Sequence, residues 1–375
     1  MYCPICKNIN LDFVYEFIDG SAMQNRLCDS LKDSLDQEKA KVTLYICKNC
    51  GFIFNADFDA RKTKYSSDYD NTQENSLYFE KYLKKIARRL IKKYNLKNKN
   101  IAEIGCGKGG FLELLYQSGV RKVKGFDPSY SNRKSLIDRL VMKKYFNVKN
   151  IKNKVDFIIC RHVLEHIPNP IRFMSSVEKC LKNKGTMYIE LPSLEWIIKN
   201  KAFFDFFYEH CNYFTKKSLV ILFSRLGFKN IIFNYGLKGQ YFQLEISRFP
   251  ERKNFSIPES CFLDLDKISK FIREEIYIYR KVINGLSNFA VWGAGAKGAT
   301  FLSRLKISRS KCPYVIDINP NKQNKFIPIT GQKVVSPEIF KENKIKTIII
   351  MNSIYEKEIK NISQKYNYKG KFILL

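Results

Sequence analysis

The spacing of apolar and polar positions divides the chain into alternating helices and short buried strands. Phe79, Tyr82, Leu83, Ile86, Ala87, Leu90 and Ile91 recur at helical spacing with Lys and Arg opposite, which predicts an amphipathic helix. It leads into Ile101–Ile104, a buried strand, and then into a second helical face of Phe111, Leu112, Leu114 and Leu115. Strands are predicted at Lys122–Phe126, Val155–Cys160 and Gly185–Leu191, the last broken by Pro192, with a helix starting at Asn169-Pro170 between the last two. Thr215 caps a helix with Leu219, Leu222, Phe223 and Leu226 inside, ended by Gly227. Lys229–Tyr235 and Tyr241–Ser247, joined by a glycine-containing turn, read as an antiparallel hairpin.

Residues 248–263 hold Pro250 and Pro258 and little periodicity, so they read as a linker. Ile268, Phe271, Ile272, Ile276, Tyr279, Val282 and Ile283 then form a long amphipathic helix, followed by a second strand–turn–helix unit beginning at Phe289. Alternating strand and helix dictates a mostly parallel sheet and an α/β fold class. The expected division is 1–75, a metal-binding domain with a loop; 76–250, the main α/β domain; 251–285, linker and helix; and 286–375, a smaller Rossmann-like domain.

Composition narrows the class. At 375 residues and 45% hydrophobic, the chain can bury several cores. No apolar run approaches the ~20 residues of a membrane span, and Met1-Tyr-Cys-Pro is no signal peptide, so a cytoplasmic, soluble protein without a membrane partner is expected. Eleven cysteines, an odd number, fit reduced thiols and a metal site, not a disulfide framework. The net charge of +30 is spread without a dense basic block, which disfavours nucleic acid as the partner. Histidine is scarce: His162, His166 and His210 are the three.

Two Cys-x-x-Cys pairs, Cys3/Cys6 and Cys47/Cys50, supply a closed tetrahedral thiolate set suited to structural zinc. Four protein ligands leave no open position for catalysis. Gly105, Gly107 and Gly109 make a tight turn between strand and helix, where bare backbone and free N–H groups approach a ligand. Asp127, about twenty residues on, stands where a carboxylate accepts ribose hydroxyls. With Glu103 the turn reads Glu-x-Gly-x-Gly and resembles the first motif of class I S-adenosylmethionine (SAM) methyltransferases. That resemblance implies SAM as cofactor, held by Glu103, Gly105, Gly107, Gly109 and Asp127, with His162 near the same sheet edge.

The later unit, Trp292-Gly293-Ala-Gly295-Ala-Lys297-Gly298 with Asp317 after the next strand, is a full Gly-x-Gly-x-x-Gly turn. Gly293, Gly295 and Lys297 are candidates to approach an anionic group, a substrate diphosphate for example. Between the fifth strand and the Thr215 helix lies the aromatic segment Phe203–Phe214, which holds Glu209 and His210. An aromatic wall excludes water, and a histidine there can take a proton at neutral pH. Tyr69, in a turn-rich segment before the first helix, is a candidate lid residue.

Taken together, these motifs resemble the sugar C-methyltransferases of deoxysugar pathways over essentially the whole chain. The resemblance rests on Cys3/Cys6 with Cys47/Cys50, Glu103-Ile-Gly-Cys-Gly107, His162-Val-Leu-Glu-His166, Glu209-His210, Gly293-Ala-Gly-Ala-Lys-Gly298, Asp317-Ile-Asn-Pro-Asn-Lys322 and Phe326-Ile-Pro328. It implies a zinc domain, a class I SAM domain and a Rossmann-like C-terminal domain. It also implies methylation of a carbon beside the keto group of a nucleotide-linked 4-keto sugar in deoxysugar or surface-glycan biosynthesis, by a monomer or weak homo-oligomer. His210 is then the base, Glu209 the acid partner and Tyr69 the tyrosine. The family segment often reads Tyr-His-Glu-His, and this chain has Phe207-Tyr208-Glu209-His210, which makes Tyr208 a further candidate. Two other activities use the same parts: O-methylation, for which the same histidine serves, and methylation of RNA, for which the zinc domain and basic surface serve. A non-catalytic scaffold is the third alternative.

Overall fold

The computed structural model describes residues 1–66, 69, 72–249, 265–342 and 345–375. Most of the expected linker, with Pro250 and Pro258, lies outside the described residues, as do Ser67, Asp68, Asp70 and Asn71.

The N-terminal part consists of β1 (Leu11–Ser21), a short helix α1 (Leu31–Leu35), β2 (Lys39–Cys47) and β3 (Ile53–Asn55). In β2, Ala40, Val42, Leu44 and Ile46 point inward while Lys39 and Lys41 stay in water, the period-two pattern of a half-buried strand.

The central part opens with α2 (Leu77–Tyr94), capped by the Ser76 side chain and closed by Asn95 in the left-handed region. There follow β4 (Ile101–Ile104), α3 (Gly110–Gln117), β5 (Val123–Phe126), β6 (Val141–Met142), β7 (Val155–Arg161), α4 (Pro170–Lys179), β8 (Leu181–Pro192), α5 (Leu194–Lys199), β9 (Asn212–Tyr213), α6 (Lys216–Arg225), β10 (Asn230–Gly236) and β11 (Tyr241–Ser247). Seven of these strands form one sheet in the order β10-β11-β8-β7-β4-β5-β6. Pairing is parallel from β6 to β8, and β11 runs antiparallel to both β8 and β10. A parallel sheet finished by an antiparallel hairpin is the class I SAM methyltransferase fold, as the strand pattern predicts. Among the described residues, no helix is long and apolar enough to cross a membrane.

β9 leaves that sheet and pairs with β3, completing a four-stranded N-terminal sheet in the order β1-β2-β3-β9. The C-terminal part follows the long helix α7 (Leu265–Gly285). It comprises β12 (Phe289–Trp292), α8 (Ala296–Arg304), β13 (Tyr314–Ile316), β14 (Lys333–Val335), β15 (Thr347–Ile350), α9 (Glu356–Lys365) and β16 (Lys371–Leu374). Its five parallel strands lie in the order β14-β13-β12-β15-β16.

The C-terminal sheet has a cluster of its own around Trp292, Ile348 and Ile350, but the N-terminal sheet shares its cores with its neighbours. Val14, Phe17, Val42 and Leu44 of the N-terminal sheet are buried in one cluster with Phe203 and Phe206 of the aromatic segment and with Phe271, Ile272 and Phe301 of α7 and α8. On the opposite side, Ile5, Phe52 and Phe54 join Ile189, Phe214 and Leu219 of the central part. A four-stranded sheet this small cannot bury both its faces alone, and its neighbours cover them.

Within α8, Gly298 lies against the backbone of Gly293, and an added Cβ would stand 2.1 Å from the Gly293 carbonyl oxygen. Backbone cannot yield there as a flexible side chain would. Gly298→Ala is expected to cost about 1–3 kcal/mol of stability. Gly285→Ala, whose Cβ would meet nothing within 4 Å, should be nearly neutral. Thermal unfolding of both variants against the parent chain checks the contrast.

Candidate active site

The carboxyl ends of the large and small sheets open on one shared cavity of about 750 Å³. Asn25 and Tyr69, Glu103, Asp127 and His210, and Gly295 with Lys297 all line it, so every part of the chain contributes to its wall.

At the first glycine turn, Gly105 and Gly107 have φ of 69° and 55°, the region that glycine tolerates. A Cβ on Gly105 would meet Val163 Cγ2 at 2.2 Å, whereas one on Gly107 would meet nothing within 4 Å, leaving open space above the turn. The Gly107 N–H donates to Asp127 Oδ2 at 2.8 Å, and Ser129 donates to Oδ1 through its N–H (2.8 Å) and hydroxyl (2.6 Å). Asp127 is thereby oriented before any ligand arrives. Gly109, also left-handed, packs against Ile137 and does not line the cavity, so its place is in shaping the turn.

Glu103 is 2% exposed, and its Oε2 has no hydrogen-bond partner among the described residues. Burial pushes its pKa up to about 7, with the Arg161 guanidinium pulling the other way. A buried acceptor without a donor, beside open space, suits a cationic ligand group.

His162 follows β7 with φ of 53°, a strained conformation for a histidine. Its Nδ1 lies 3.4 Å from Glu165 Oε1 and its Nε2 3.3 Å from Glu190 Oε1. Burial alone would lower its pKa, but the two carboxylates raise it to about 8. Glu190 in turn accepts from Arg161, Tyr82, Tyr188 and Gln243, so it is a fully satisfied buried carboxylate. The signal for Glu190 was one acid inside the apolar run Met187–Leu191.

The aromatic segment brings together Tyr69 and Glu209. Glu209 is fully buried; its Oε2 accepts the Tyr69 hydroxyl at 2.6 Å and its Oε1 accepts the Asn25 N–H at 3.0 Å. The Asn25 side chain donates to Tyr69 Oη at 3.3 Å and accepts the N–H of Ala296, at the start of α8, at 3.0 Å. Asn25 gave no signal in the sequence, because it belongs to no periodic element. Burial, and then the Glu209 charge, hold the Tyr69 hydroxyl well above its ordinary pKa.

The Glu209 carboxylate turns to Tyr69 and Asn25, away from the neighbouring His210 ring. That ring packs 4.1 Å from Phe207 and 4.8 Å from His166, centroid to centroid. Desolvation in this wall, with His166 nearby, keeps His210 well below the usual imidazole pKa and therefore neutral. His166 Nδ1 lies 2.8 Å from the Glu209 carbonyl oxygen and 2.9 Å from the Tyr65 hydroxyl.

Tyr208 is a correction: the structure does not place it with the other candidates. Its hydroxyl accepts the Asp59 N–H at 2.8 Å on the far side of the segment, outside the cavity lining. Tyr208 and Glu209 lie in a tight turn closed by the His210 N–H on the Phe207 carbonyl, and the two side chains go to different partners, Tyr208 to Asp59 and Glu209 to Tyr69 and Asn25.

The second glycine turn repeats the first. Ala294 N–H donates to Asp317 Oδ2 at 2.8 Å and Asn319 N–H to Oδ1 at 2.9 Å. Gly293, Gly295 and Lys297 all line the cavity. Lys297 Nζ pairs with Asp205 Oδ2 at 2.6 Å and lies over the rings of Trp196 and Phe204. Its charge is thus tied to the aromatic segment.

Away from the cavity, the four candidate metal ligands converge. Cys3 and Cys50 Sγ are 3.6 Å apart, Cys6 and Cys47 Sγ 3.4 Å, and all four lie within 4.8 Å of one another. Gly51, left-handed, returns its N–H to the Cys47 carbonyl at 2.8 Å, closing the second knuckle. This donor set fits a tetrahedral thiophilic ion.

Residues 75–231 match a model described as a methyltransferase domain, and residues 267–375 one described as a C-methyltransferase C-terminal domain. The C-methyltransferase NovU of Streptomyces niveus is 23% identical over 265 residues, covering 64% of this chain and 62% of that protein. A tRNA U34 carboxymethyltransferase of Sulfurimonas denitrificans is 31% identical over 115 residues, 27% of this chain and 39% of its own length. The chain thus spans less than two thirds of either relative. Among solved structures, the magnesium protoporphyrin IX methyltransferase of Synechocystis with S-adenosylhomocysteine bound is 15% identical, covering 48% of this chain and 88% of that one, with a TM-score of 0.37.

The raised Glu103 pKa makes a prediction of definite sign. The folded chain binds this proton more tightly than the unfolded one, so the contribution of Glu103 to stability is fully present below pH 4.5 and is lost as pH rises through about 7. The difference corresponds to about 3 kcal/mol. Glu103→Gln should therefore be more stable than the parent at pH 8 and equal to it near pH 4.5, as urea unfolding at the two pH values would measure.

Proposed function

We propose that this chain is a SAM-dependent C-methyltransferase whose acceptor is a carbon beside the keto group of a nucleotide-linked 4-keto sugar. The observation that carries the reading is one cavity, shared by both glycine turns, whose lining holds His210 and the Tyr69 that is bonded to Glu209. The C-methyltransferase description of the C-terminal match and the name of the Streptomyces niveus relative support carbon as the acceptor.

Glu103, Gly105, Gly107, Asp127 and His162 would hold SAM, with the orphan oxygen of Glu103 facing its cationic end. When bound, SAM supplies an electrophilic methyl group. The chain's own task is to make the acceptor carbon nucleophilic. A carbon beside a carbonyl attacks only after losing a proton, and a neutral imidazole in a water-poor wall is a competent acceptor. The enolate that results carries charge on oxygen and needs a donor. Tyr69 keeps its proton because burial and Glu209 oppose ionisation; its O–H rests on Glu209 and would turn from there to the enolate oxygen. Gly293, Gly295 and Lys297 border the half of the cavity suited to the nucleotide diphosphate. Lys297 contributes there while still anchored to Asp205.

The Cys3, Cys6, Cys47 and Cys50 cluster is proposed to hold one structural zinc. Cys47→Ser is expected to lose that ion and to destabilise the N-terminal sheet. Metal content by elemental analysis, read with circular dichroism, tests this, and undiminished zinc would refute it.

For the base, proton removal need not wait for methyl transfer. With the correct 4-keto sugar and S-adenosylhomocysteine in D₂O, the parent chain should exchange the proton of the acceptor carbon. His210→Ala should do so ~10²–10⁴-fold more slowly while still binding both ligands. Exchange at the parent rate would assign the base to another group, and a methyl found on oxygen would refute the carbon reading.

A further inference from the structure

Glu165 is not explained by the proposed chemistry. It lines the cavity at 1% exposure, and neither carboxylate oxygen has a hydrogen-bond partner among the described residues. Its nearest cation is His162, at 3.4 Å, and that imidazole is shared with Glu190 at 3.3 Å. A buried carboxylate left in this state calls for a further partner.

The two remaining histidines face the same point. One ligand atom each from Glu165, His166 and His210 lies within 4.8 Å of the other two. The His166 ring is also held in the manner of metal-ligating histidines, with Nδ1 at 2.8 Å from the Glu209 carbonyl oxygen. That contact orients the ring and leaves Nε2 as its outward nitrogen. Bonds of ~2.0–2.2 Å in a tetrahedral site place donors ~3.4 Å apart, so modest side-chain rotation closes the set. Two imidazoles and one carboxylate with a position open to the cavity make a donor set for a borderline ion such as Zn²⁺ or Co²⁺.

We propose that Glu165, His166 and His210 form a second divalent-cation site, distinct from the four-cysteine cluster, whose occupation blocks the base. A histidine nitrogen coordinated to a cation has no lone pair with which to accept a proton, so the ion inhibits. Binding of the ion stands on the geometry alone, and the inhibitory effect rests on the proposed role of His210.

The chain has only three histidines, so protein labelled with ¹⁵N-histidine gives three sets of ring signals. Titrating the full chain with Zn²⁺, its four-cysteine cluster already filled, should move the His166 and His210 nitrogens to coordinated shifts. A second equivalent should also appear in calorimetry. Glu165→Gln, close in size to the parent, should weaken that second event at least tenfold, and His166→Gln should do the same if the first variant folds poorly. Co²⁺ at this site should show d–d absorption without added thiolate charge transfer. A single equivalent of metal, or a second one indifferent to both substitutions, would overturn the site. Zn²⁺ should also slow the D₂O exchange at least tenfold. Binding that follows the geometry without slowing exchange would overturn the inhibition and the role of His210 as base, while the site itself stands.

Discussion

The architecture depends on the burial of one charge. Glu209 is fully enclosed, and a carboxylate can be held there only if donors reach it. The donors are the Asn25 N–H and the Tyr69 hydroxyl, from two distant stretches of the chain, and the Asn25 side chain extends the network to the first turn of α8. The N-terminal part, the segment before α2, the aromatic segment and the C-terminal part thus meet at one set of hydrogen bonds. Removing any donor leaves part of a buried charge unsatisfied, which is far more costly than losing a surface contact. The cavity and the packing of the three parts are consequently one problem for the sequence to solve.

Local chemistry was legible wherever it carried a period or a spacing. Ile101 to Asp127 showed a strand, a turn and a strand-end acid, and all three stand as expected. The cysteine pairs predicted a cluster because four thiolates at such spacing have few other uses, and their sulfurs do converge. Thr215 caps the helix it was expected to cap, and the helix expected to start at Asn169-Pro170 does so, with Asn169 as its cap. Polar groups that matter only through distant partners were not legible. Asn25 sits in no element, Glu165 lies within a motif read for its histidines, and Tyr208 was included because of a neighbour's identity. Which way a side chain faces in an irregular segment is set by tertiary contacts, and no periodicity reports it. The domain picture illustrates the same limit: the sequence marks off a cysteine-bearing segment, but not that its sheet borrows β9 and packs on both neighbours.

The two glycine turns show one device used twice. In each, a strand-end aspartate accepts a backbone N–H from the preceding turn with one oxygen and a local N–H with the other. These bonds fix the carboxylates, so a ligand meeting them loses little further freedom and finds only certain lone pairs available. Lys297, bound to Asp205, is likewise held and not free to sweep the cavity. Much of the cavity wall is therefore rigid before binding, and Asn25 and His210 are partly exposed within it.

The strand exchange between β3 and β9 has a consequence for how the chain is made. Ile53 pairs with Tyr213 and Phe54 with Asn212, so the N-terminal sheet stays incomplete until the ribosome has added about 160 further residues. At typical rates of synthesis that is a wait of about ten to thirty seconds. During it, the apolar edges of β1 to β3 and the cysteine thiols are exposed, with only the sequence-local knuckles to organise them. The open edge of β3 is therefore a place for unwanted strand pairing in the interval before β9 emerges.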